Sequence, residues 1–444
     1  MKQTFSAFLL CGILNFFAAS FLFSQGTDVR ILYNGDRNYS LVERTDLRRY
    51  DNGKYTGLVS REIRSFIART SPPENGVQTD SYYDGSFFVL EGTRRGANEV
   101  GSGINSSIPS SFRISRDGHL FMIEDNGYPS FRSFPAFPSE AIKQGDKWVS
   151  TAERAVDPLY KGKITKIPMT VEYMYLRDET FRGEDVYVFS AQWATRYGIS
   201  YRDFGGDSEL KSATGRHSAT MYISKRTGNA VVVRDSVDET FIYADGTNVS
   251  FKGTISLFTE YPPAVDRSRI IPALQRVAFI SDEEAKTLFD VPKNGGFTQQ
   301  NGTSGSGIAQ KKIEQAALHS DKPITVENTD AGIRLTMQNL QFKADSAELL
   351  PGESGRLNQI AAVLKEAPQS LFLVEGHTAQ TGNAAGEQRL SEQRARTIAQ
   401  ELAKRGIPAE KFICKGSGGR KPIASNATPE GKAKNRRVEI TILE

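Results

Sequence analysis

Residues 371–379 read LFLVEGHTA, a short apolar run that ends in a glycine and a polar turn. A run of this length with a turn signal behind it predicts a short buried strand. An amphipathic helix is predicted on each side of this run, because apolar residues recur there at i, i+3, i+4 and i+7. These residues are Leu357, Ile360, Ala361 and Leu364 before the run, and Ala395, Ile398, Ala399 and Leu402 after it.

Alternating apolar residues add a strand on each outer side of this pattern. They are Ile333, Leu335 and Met337 near its start, and Val438, Ile440 and Ile442 at its end. Gly406 and Pro408 stop the second helix. Residues 326–444 are therefore predicted to form an α+β domain in the order β-α-β-α-β, with the helices packed on one sheet.

Five short motifs follow one another through this domain. They are Phe342–Leu350 (FKADSAELL), Glu375–Thr378 (EGHT), Leu390–Ala395 (LSEQRA), Asn426–Gly431 (NATPEG) and Asn435–Glu439 (NRRVE). The ordered set resembles the OmpA-like domain family, which includes OmpA, Pal and MotB. The resemblance covers residues 330–444. It implies a domain that grips the stem peptide of peptidoglycan.

The resemblance also implies a clamp for a diamino residue whose side chain ends in an ammonium and a carboxylate. The family uses an Asp after His-Thr for the ammonium and an Arg in the helix motif for the carboxylate. Arg394 is retained here, and a guanidinium can donate two parallel hydrogen bonds to a carboxylate. Ala379 replaces the family's Asp, and Glu387 replaces its common Asn. Thr378 and Arg437 fall at positions that the family places near its ligand.

The change to Ala379 alters what the family resemblance implies about binding. Losing one charge-assisted hydrogen bond costs about 1.5–3 kcal/mol, or about 10–150-fold in affinity. In one explanation the groove has drifted, and the domain serves as a scaffold or a partner-binding module. In the other, Glu387 supplies a replacement carboxylate that suits an altered diamino residue such as ornithine, which lacks the distal carboxylate. We expect weakened or altered wall binding rather than complete loss.

The N-terminus predicts export. Lys2 precedes a long apolar run from Phe5 to Phe23, and the small Ser24 offers a cleavage point. An uncleaved anchor is the alternative, since about 20 apolar residues span a bilayer. Because no basic stop-transfer flank follows, we favour a signal peptide at residues 1–24. The mature protein is then expected in the periplasm, in association with the outer membrane, with Cys414 as its single cysteine.

Residues 27–265 are predicted to be mostly antiparallel strands. Apolar and polar residues alternate, and turn signals such as Asp245-Gly246 separate the runs. The runs at 216–223, 230–243 and 249–261 predict a meander that is buried as a sandwich or a soluble barrel. A Phe-Pro pair and a GDKW stretch near residue 140 divide the region into segments 27–140 and 141–265.

One of these runs disfavours a barrel that spans a membrane. Between Val231 and Tyr243, Asp235 and Glu239 share one face, and Arg234 and Asp238 share the other. Neither face is suited to lipid, because lipid-facing positions do not carry repeated charge.

A helical segment and a linker join the two parts of the chain. Residues 266–293 include Ser281-Asp-Glu-Glu284, a capping box that opens a short helix. Residues 294–307 read NGGFTQQNGTSGSG, which is typical of a flexible linker because it holds too few apolar groups for a core. We therefore expect two modules that move independently, without a large fixed interface.

Composition and motifs argue against several classes of function. The 56 basic and 52 acidic residues are too balanced for nucleic-acid binding. No phosphate loop, dinucleotide fingerprint or nucleophile elbow occurs in its required context. The histidines are scattered, at His119, His217, His319 and His377. We predict a non-catalytic protein without a metal or cofactor, whose partners are peptidoglycan and other envelope proteins.

Two rival functions stay open. The first is a ligand-binding envelope protein, in which aromatic strand faces line a cavity and the OmpA-like domain is a scaffold. The second is a glycan-processing enzyme targeted to the wall, which requires a polar cleft in the β-region.

Overall fold

The structure is a computed structural model. It describes residues 28–94, 97–100, 103–198, 205–289, 324–343 and 345–444, and of residues 91–94 and 97–100 it describes only the backbone. The predicted signal peptide at 1–24 and the predicted linker at 294–307 lie outside the described residues.

The first part of the described chain consists of strands. They are β1 (Ser40–Asp51), β2 (Lys54–Thr70), β3 (Ser81–Arg94), β4 (Ala97–Val100), β5 (Asn105–Ser106), β6 (Ile108–Ile114), β7 (Leu120–Glu124), β8 (Phe131–Arg132), β9 (Lys147–Val156), β10 (Thr165–Phe181), β11 (Glu184–Tyr197), β12 (Leu210–Ser224), β13 (Ala230–Tyr243) and β14 (Asn248–Glu260). The predicted meander is confirmed, because β12, β13 and β14 cover its three runs and pair antiparallel in sequence.

All of these strands except β5 form one sheet of 13 strands, in the order β7-β6-β3-β2-β1-β14-β13-β12-β11-β10-β9-β8 with β4 beside β3. The ends of the sheet approach each other, since the backbone N–H of Leu120 donates to Ser133 Oγ at 3.0 Å. The prediction of a mostly antiparallel N-terminal part is confirmed. Strands before and after residue 140 share this sheet and one apolar core, so segments 27–140 and 141–265 do not have separate cores.

Alternation along the strands fills the inside of the sheet with aromatic side chains. Phe189 and Trp193 on β11 point inward together with Tyr173 on β10, and all three are buried. The rings pack edge to face or stacked, as with Trp148 on Tyr173 at 5.2 Å between ring centroids. Burial of such large apolar surfaces is the main stabilising contribution to this part of the fold.

The second part of the described chain contains helices and a second sheet. Its elements are α1 (Arg267–Ala278), α2 (Asp282–Phe289), β15 (Ile324–Thr329), β16 (Gly332–Gln338), α3 (Ser354–Lys365), β17 (Phe372–Gly376), α4 (Ala384–Lys404), β18 (Phe412–Gly416), α5 (Pro429–Asn435) and β19 (Arg437–Leu443). The predicted capping box is present before α2, because the backbone N–H of Ser281 donates to Glu284 Oε2 at 2.8 Å and that of Glu284 donates to Ser281 Oγ at 3.2 Å. Within the described ranges, no helix is both long and apolar enough to cross a bilayer.

The predicted α+β domain is confirmed, with three additional elements. β15, β18 and α5 join the predicted β-α-β-α-β order. The sheet has the order β15-β16-β19-β17-β18-β5, in which β17 and β18 are parallel and β17 and β19 antiparallel. Helices α3 and α4 bury their predicted apolar faces on this sheet, in one shared core.

Strand β5 belongs to the first part of the chain but extends the sheet of the second part. It pairs parallel with β18, through Asn105 opposite Ile413. The side-chain amide of Asn105 donates to the main-chain oxygens of Glu410 at 3.1 Å and Phe412 at 3.2 Å. The backbone N–H of Ser107 donates to the main-chain oxygen of Cys414 at 2.8 Å. The edge of β18 is therefore covered by the β-rich module.

Apolar and polar contacts widen this interface. Phe66 and Phe88 of the β-rich module share a buried cluster with Ile413 and Leu443. Asn38 donates from its amide to the main-chain oxygens of Asp330 and Glu444, both at 2.6 Å. Helix α1 packs its buried face into the core of the second part.

The structure corrects the expectation of two modules without a large fixed interface. The contacts are made by a two-residue strand and by outward positions of β2 and β3. Neither has a local pattern that distinguishes a domain contact from an ordinary edge or surface. The linker composition contains no information about contacts between distant residues.

Candidate functional site

The loop between β17 and α4, together with the first turns of α4, forms the candidate groove. Gly376 ends β17 against α4, because a Cβ there would come within 2.1 Å of the main-chain oxygen of Ser391. This close approach fixes the helix against the strand end. It places Arg394 about one turn beyond the contact point.

Two contacts orient the side chain of Arg394. Its Nε donates to the main-chain oxygen of Ser346 at 3.1 Å, and its guanidinium lies over the ring of Phe342 at 4.8 Å. Only 9% of the residue is exposed. Among the described residues, no hydrogen-bond acceptor contacts its two terminal nitrogens. These nitrogens are available to an anionic group.

Arg394 is desolvated and lies near one further cation and one anion. Burial is the largest influence that lowers the pKa of its guanidinium, and the nearby charge of Arg436 lowers it further. Asp345 acts in the opposite direction. A guanidinium that is desolvated and faces a second cation gains more from an incoming carboxylate than an exposed one does.

Glu387 lies in the first turn of α4, where its carboxylate holds the preceding loop. Its Oε1 accepts hydrogen bonds from the backbone N–H of Thr381 at 2.6 Å, the Thr381 hydroxyl at 2.9 Å and the backbone N–H of Gly382 at 3.1 Å. The bond from the Thr381 backbone is the largest cause that lowers the pKa of Glu387. Much of the acceptor capacity of this carboxylate is thus used within the protein.

Thr378 and Ala379 are buried residues of the loop between β17 and α4. The backbone N–H of Thr378 donates to the main-chain oxygen of Gly418 at 2.9 Å. Its hydroxyl is buried without a hydrogen-bond partner among the described residues. Ala379 is 5% exposed, so the position of the family's Asp is now a buried methyl group.

Arg437 is paired inside the domain. Its Nε donates to Glu439 Oε1 at 2.7 Å, and a terminal nitrogen donates to the main-chain oxygen of Lys421 at 3.2 Å. Only 4% of the residue is exposed. The structure thus gives Arg394 and Arg437 different surroundings, although the family resemblance implies that both lie near the ligand.

Glu375, His377 and Glu439 lie close enough together to hold an ion. His377 Nε2 is 3.6 Å from Glu439 Oε1 and 3.9 Å from Glu375 Oε1. Both carboxylates already have cationic partners, Lys421 at 2.9 Å from Glu375 and Arg437 at 2.7 Å from Glu439. Burial acts to raise the pKa of Glu375, but Lys421 and neighbouring groups lower it to about 2. We assign no metal here, because a dication would compete with these fixed cations.

A second group of charged residues lies inside the β-rich sheet, where the sequence analysis places no site. His217 on β12 contacts Asp235 Oδ2 through Nδ1 at 2.7 Å and Glu239 Oε1 through Nε2 at 2.8 Å. Glu239 Oε2 also pairs with Arg154 at 2.6 Å. A sequence signal existed: Asp235 and Glu239 share the inward parity of Val233 and Val237 on β13.

The side chains of this interior group are almost completely buried. Thr195 Oγ1 lies 3.1 Å from His217 Nε2, as a nucleophile would, but it donates to Glu239 Oε1 at 2.6 Å. The Thr195, His217 and Asp235 side chains are all buried. Burial lowers the pKa of His217, but the bonds to Asp235 and Glu239 raise it above its ordinary value. The arrangement is that of a buried ion network.

The fold and groove together define an α+β domain in which the buried Arg394 has no acceptor at its terminal nitrogens among the described residues. The model of the OmpA family matches residues 341–436. The chain is 33% identical to outer membrane protein A of Bordetella avium over 142 residues, which is 32% of this chain and 68% of that protein. The chain therefore belongs to the OmpA family through its C-terminal domain.

Two further relatives share the same domain. The chain is 40% identical to probable lipoprotein YiaD of Escherichia coli over 31% of its length, and it spans 65% of YiaD. It is 43% identical to peptidoglycan-binding protein ArfA of Mycobacterium tuberculosis over 23% of its length, and it spans 32% of ArfA. Among solved structures, an outer membrane protein from Borrelia burgdorferi B31 is 36% identical, with a TM-score of 0.24, over 27% of this chain and 97% of that one.

Proposed function

We propose that this chain is an exported, non-catalytic protein of the cell envelope whose OmpA-like domain, residues 326–444, associates the β-rich module with peptidoglycan. The relationship to ArfA, which is named for peptidoglycan binding, supports this assignment. The observation that carries the assignment concerns Arg394. This residue is buried, its Nε is bonded to the main-chain oxygen of Ser346, and its terminal nitrogens have no acceptor among the described residues. We place the protein in the periplasm, associated with the outer membrane.

We propose further that the groove holds the carboxylate end of the stem-peptide diamino residue and only weakly holds its ammonium end. The methyl group of Ala379 cannot accept a hydrogen bond from an ammonium. Glu387 is a poor replacement, because three donors of the 381–382 loop already bind its Oε1. This favours weakened binding of a diaminopimelate-type residue over the alternative in which Glu387 selects ornithine. Thr378 contributes through its free hydroxyl, and Arg437 through its support of the neighbouring strand.

A second candidate function is a scaffold. Strand β5 completes the sheet of the OmpA-like domain, so the domain serves as a docking platform for the β-rich module whether or not it binds the wall. On this reading the altered groove is a consequence of relaxed selection for binding.

Retention on isolated sacculi tests the proposed function. The chain without residues 1–24 should co-sediment with diaminopimelate-type peptidoglycan, and Arg394→Ala should reduce the retained fraction at least tenfold. Arg389→Ala is the matched control, because Arg389 is an exposed arginine on the same helix. Equal retention of the two variants, or no retention of the wild-type chain at low salt, would favour the scaffold.

A further inference from the structure

A cleft of about 730 Å³ lies directly beside the candidate groove. Its walls are the loop at residues 345–351 and the outer face of α4. Ser346 connects the two sites, because it lines the cleft and also accepts the hydrogen bond from Arg394. A ligand held at Arg394 therefore has a path into the cleft.

One face of α4 presents uncharged hydrogen-bonding groups to this cleft. Gln393, Thr397 and Gln400 follow the i, i+4, i+7 spacing, which puts them on one side of the helix. Among the described residues, none of these three side chains has a hydrogen-bond partner. They offer two amides and a hydroxyl to a ligand.

Most of the charged residues of the cleft have ion-pair partners, and Asp345 lies at the end of the cleft near the charge of Arg394. Glu401 contacts Lys404 at 2.7 Å and Arg405 at 2.8 Å. Arg405 also donates to Ser354 Oγ at 3.1 Å. On the loop side, Glu348 is paired with Lys343. The stretch along Gln393, Thr397 and Gln400 carries no charge of its own, which disfavours a strongly charged ligand there.

The cleft also has an apolar component. At its base, Leu349 and Leu350 are only partly buried, and Pro351 is exposed. A ligand that combines apolar ring faces with hydroxyl and acetamido groups matches both the apolar base and the polar stripe. N-acetylated sugars have this combination, whereas a stem peptide ends in charged groups.

We propose that this cleft binds an N-acetylated sugar of the glycan strand, next to a stem peptide held at Arg394. The proposal rests on the proposed function and adds a second contact with the same polymer. Helix α4 rises about 9 Å between Arg394 and Gln400. An extended peptide advances about 3.3–3.6 Å per residue, so about two or three residues of stem cover this distance.

A chitin tetrasaccharide tests this proposal, because it has the sugars without a stem peptide. Saturation-transfer NMR with the chain lacking residues 1–24 should show binding, and titration should give millimolar affinity. Thr397→Val and Gln400→Ala should each weaken it by about threefold to tenfold, as expected for one neutral hydrogen bond. Gln359→Ala is the matched control, because Gln359 is an exposed glutamine on α3 that does not line the cleft.

Arg394→Ala separates this proposal from the proposed function. It should reduce retention on sacculi at least tenfold but leave tetrasaccharide binding within twofold of the wild-type value. Absence of tetrasaccharide binding, or binding that Thr397→Val and Gln400→Ala leave unchanged, overturns the cleft proposal even if sacculi retain the chain. Tetrasaccharide binding without retention on sacculi supports the cleft and overturns the stem-peptide assignment.

Discussion

Arg394 donates its Nε hydrogen to the main-chain oxygen of Ser346 at 3.1 Å, and this bond orients the guanidinium over Phe342. The bond uses the inner nitrogen, so the terminal nitrogens remain available for a carboxylate. Because the acceptor is a main-chain oxygen, no side-chain change at residue 346 removes it. The orientation of Arg394 therefore depends on the course of the loop at residues 345–351.

The interface between the modules should survive cleavage of the linker. After cutting at a protease site inserted between residues 294 and 307, the two fragments should co-elute from a size-exclusion column. Asn105→Ala should weaken this association, because it leaves the main-chain oxygens of Glu410 and Phe412 without their amide donor. We expect a loss of about 1–2 kcal/mol.

Asn75→Ala provides the control for that experiment, because Asn75 is exposed on a loop. Fragments that separate immediately in the wild-type chain would show that the modules are independent, as the linker composition alone suggests.

Cys414 should be unreactive while β5 covers the edge of β18. The thiol is buried, and burial raises its pKa to about 12, so little thiolate forms near neutral pH. In the chain without residues 1–24, a thiol reagent should label Cys414 only after denaturant is added. Faster labelling of Asn105→Ala would show that the interface protects the strand, and rapid labelling of the native wild-type chain would contradict this.

The ion network around His217 should make the stability of the β-rich module depend on pH. Burial and the charge of Arg154 lower the pKa of His217, but the hydrogen bonds to Asp235 and Glu239 outweigh them and raise this pKa in the folded state. Such a group stabilises the fold fully below its unfolded pKa of about 6.5, and its contribution is lost as pH rises through the folded pKa. The melting temperature should therefore fall between neutral and alkaline pH.

His217→Gln should flatten that dependence above pH 6.5, since the titrating group is gone. Asp235→Asn gives a second measurement if His217→Gln does not fold, because it removes one partner and should reduce the slope. His119→Gln is the control, because His119 is partly exposed and its partner Asp117 is half exposed. A wild-type slope that survives both network variants would mean that other groups cause it.

Glu387→Gln should loosen the loop before α4. The neutral amide keeps the shape of the side chain. It accepts weaker hydrogen bonds from Thr381 and Gly382 than the wild-type carboxylate does, because charge-assisted bonds are stronger. Protease cleavage after residue 379 should accelerate, while binding to the wall changes by less than threefold. A loss of binding as large as that of Arg394→Ala would instead assign Glu387 to the ammonium end of the ligand.

The sequence predicted the C-terminal domain well because local rules determine it. Apolar periods of two and near four predict its strands and helices. The motif order places Ala379 just after one strand and Arg394 within the helix that follows. The hydrogen bonds from Thr381 and Gly382 to Glu387 were not predictable, because they depend on which backbone N–H groups of the loop point toward its carboxylate. The loop geometry decides this, and residue types alone do not.

The contacts between distant residues were the other unpredictable part. In the sequence, the charges of Asp235 and Glu239 indicate only that this strand does not face lipid. In the folded sheet, both residues contact His217. Strand pairing brings β12 and β13 into register and makes this group. The two residues of β5 are too few for any periodicity, so their pairing with β18 emerges only in three dimensions.

The central claim is that the groove retains the carboxylate contact and has lost the ammonium contact. The most direct measurement is calorimetric titration of the chain with a soluble diaminopimelate stem peptide and two derivatives, one amidated at the distal carboxylate and one acetylated at the side-chain ammonium. We predict that amidation weakens binding at least tenfold, as Arg394→Ala does, while acetylation changes it by less than threefold unless Ala379→Asp restores the second contact. Strong loss on acetylation with little loss on amidation would contradict the account.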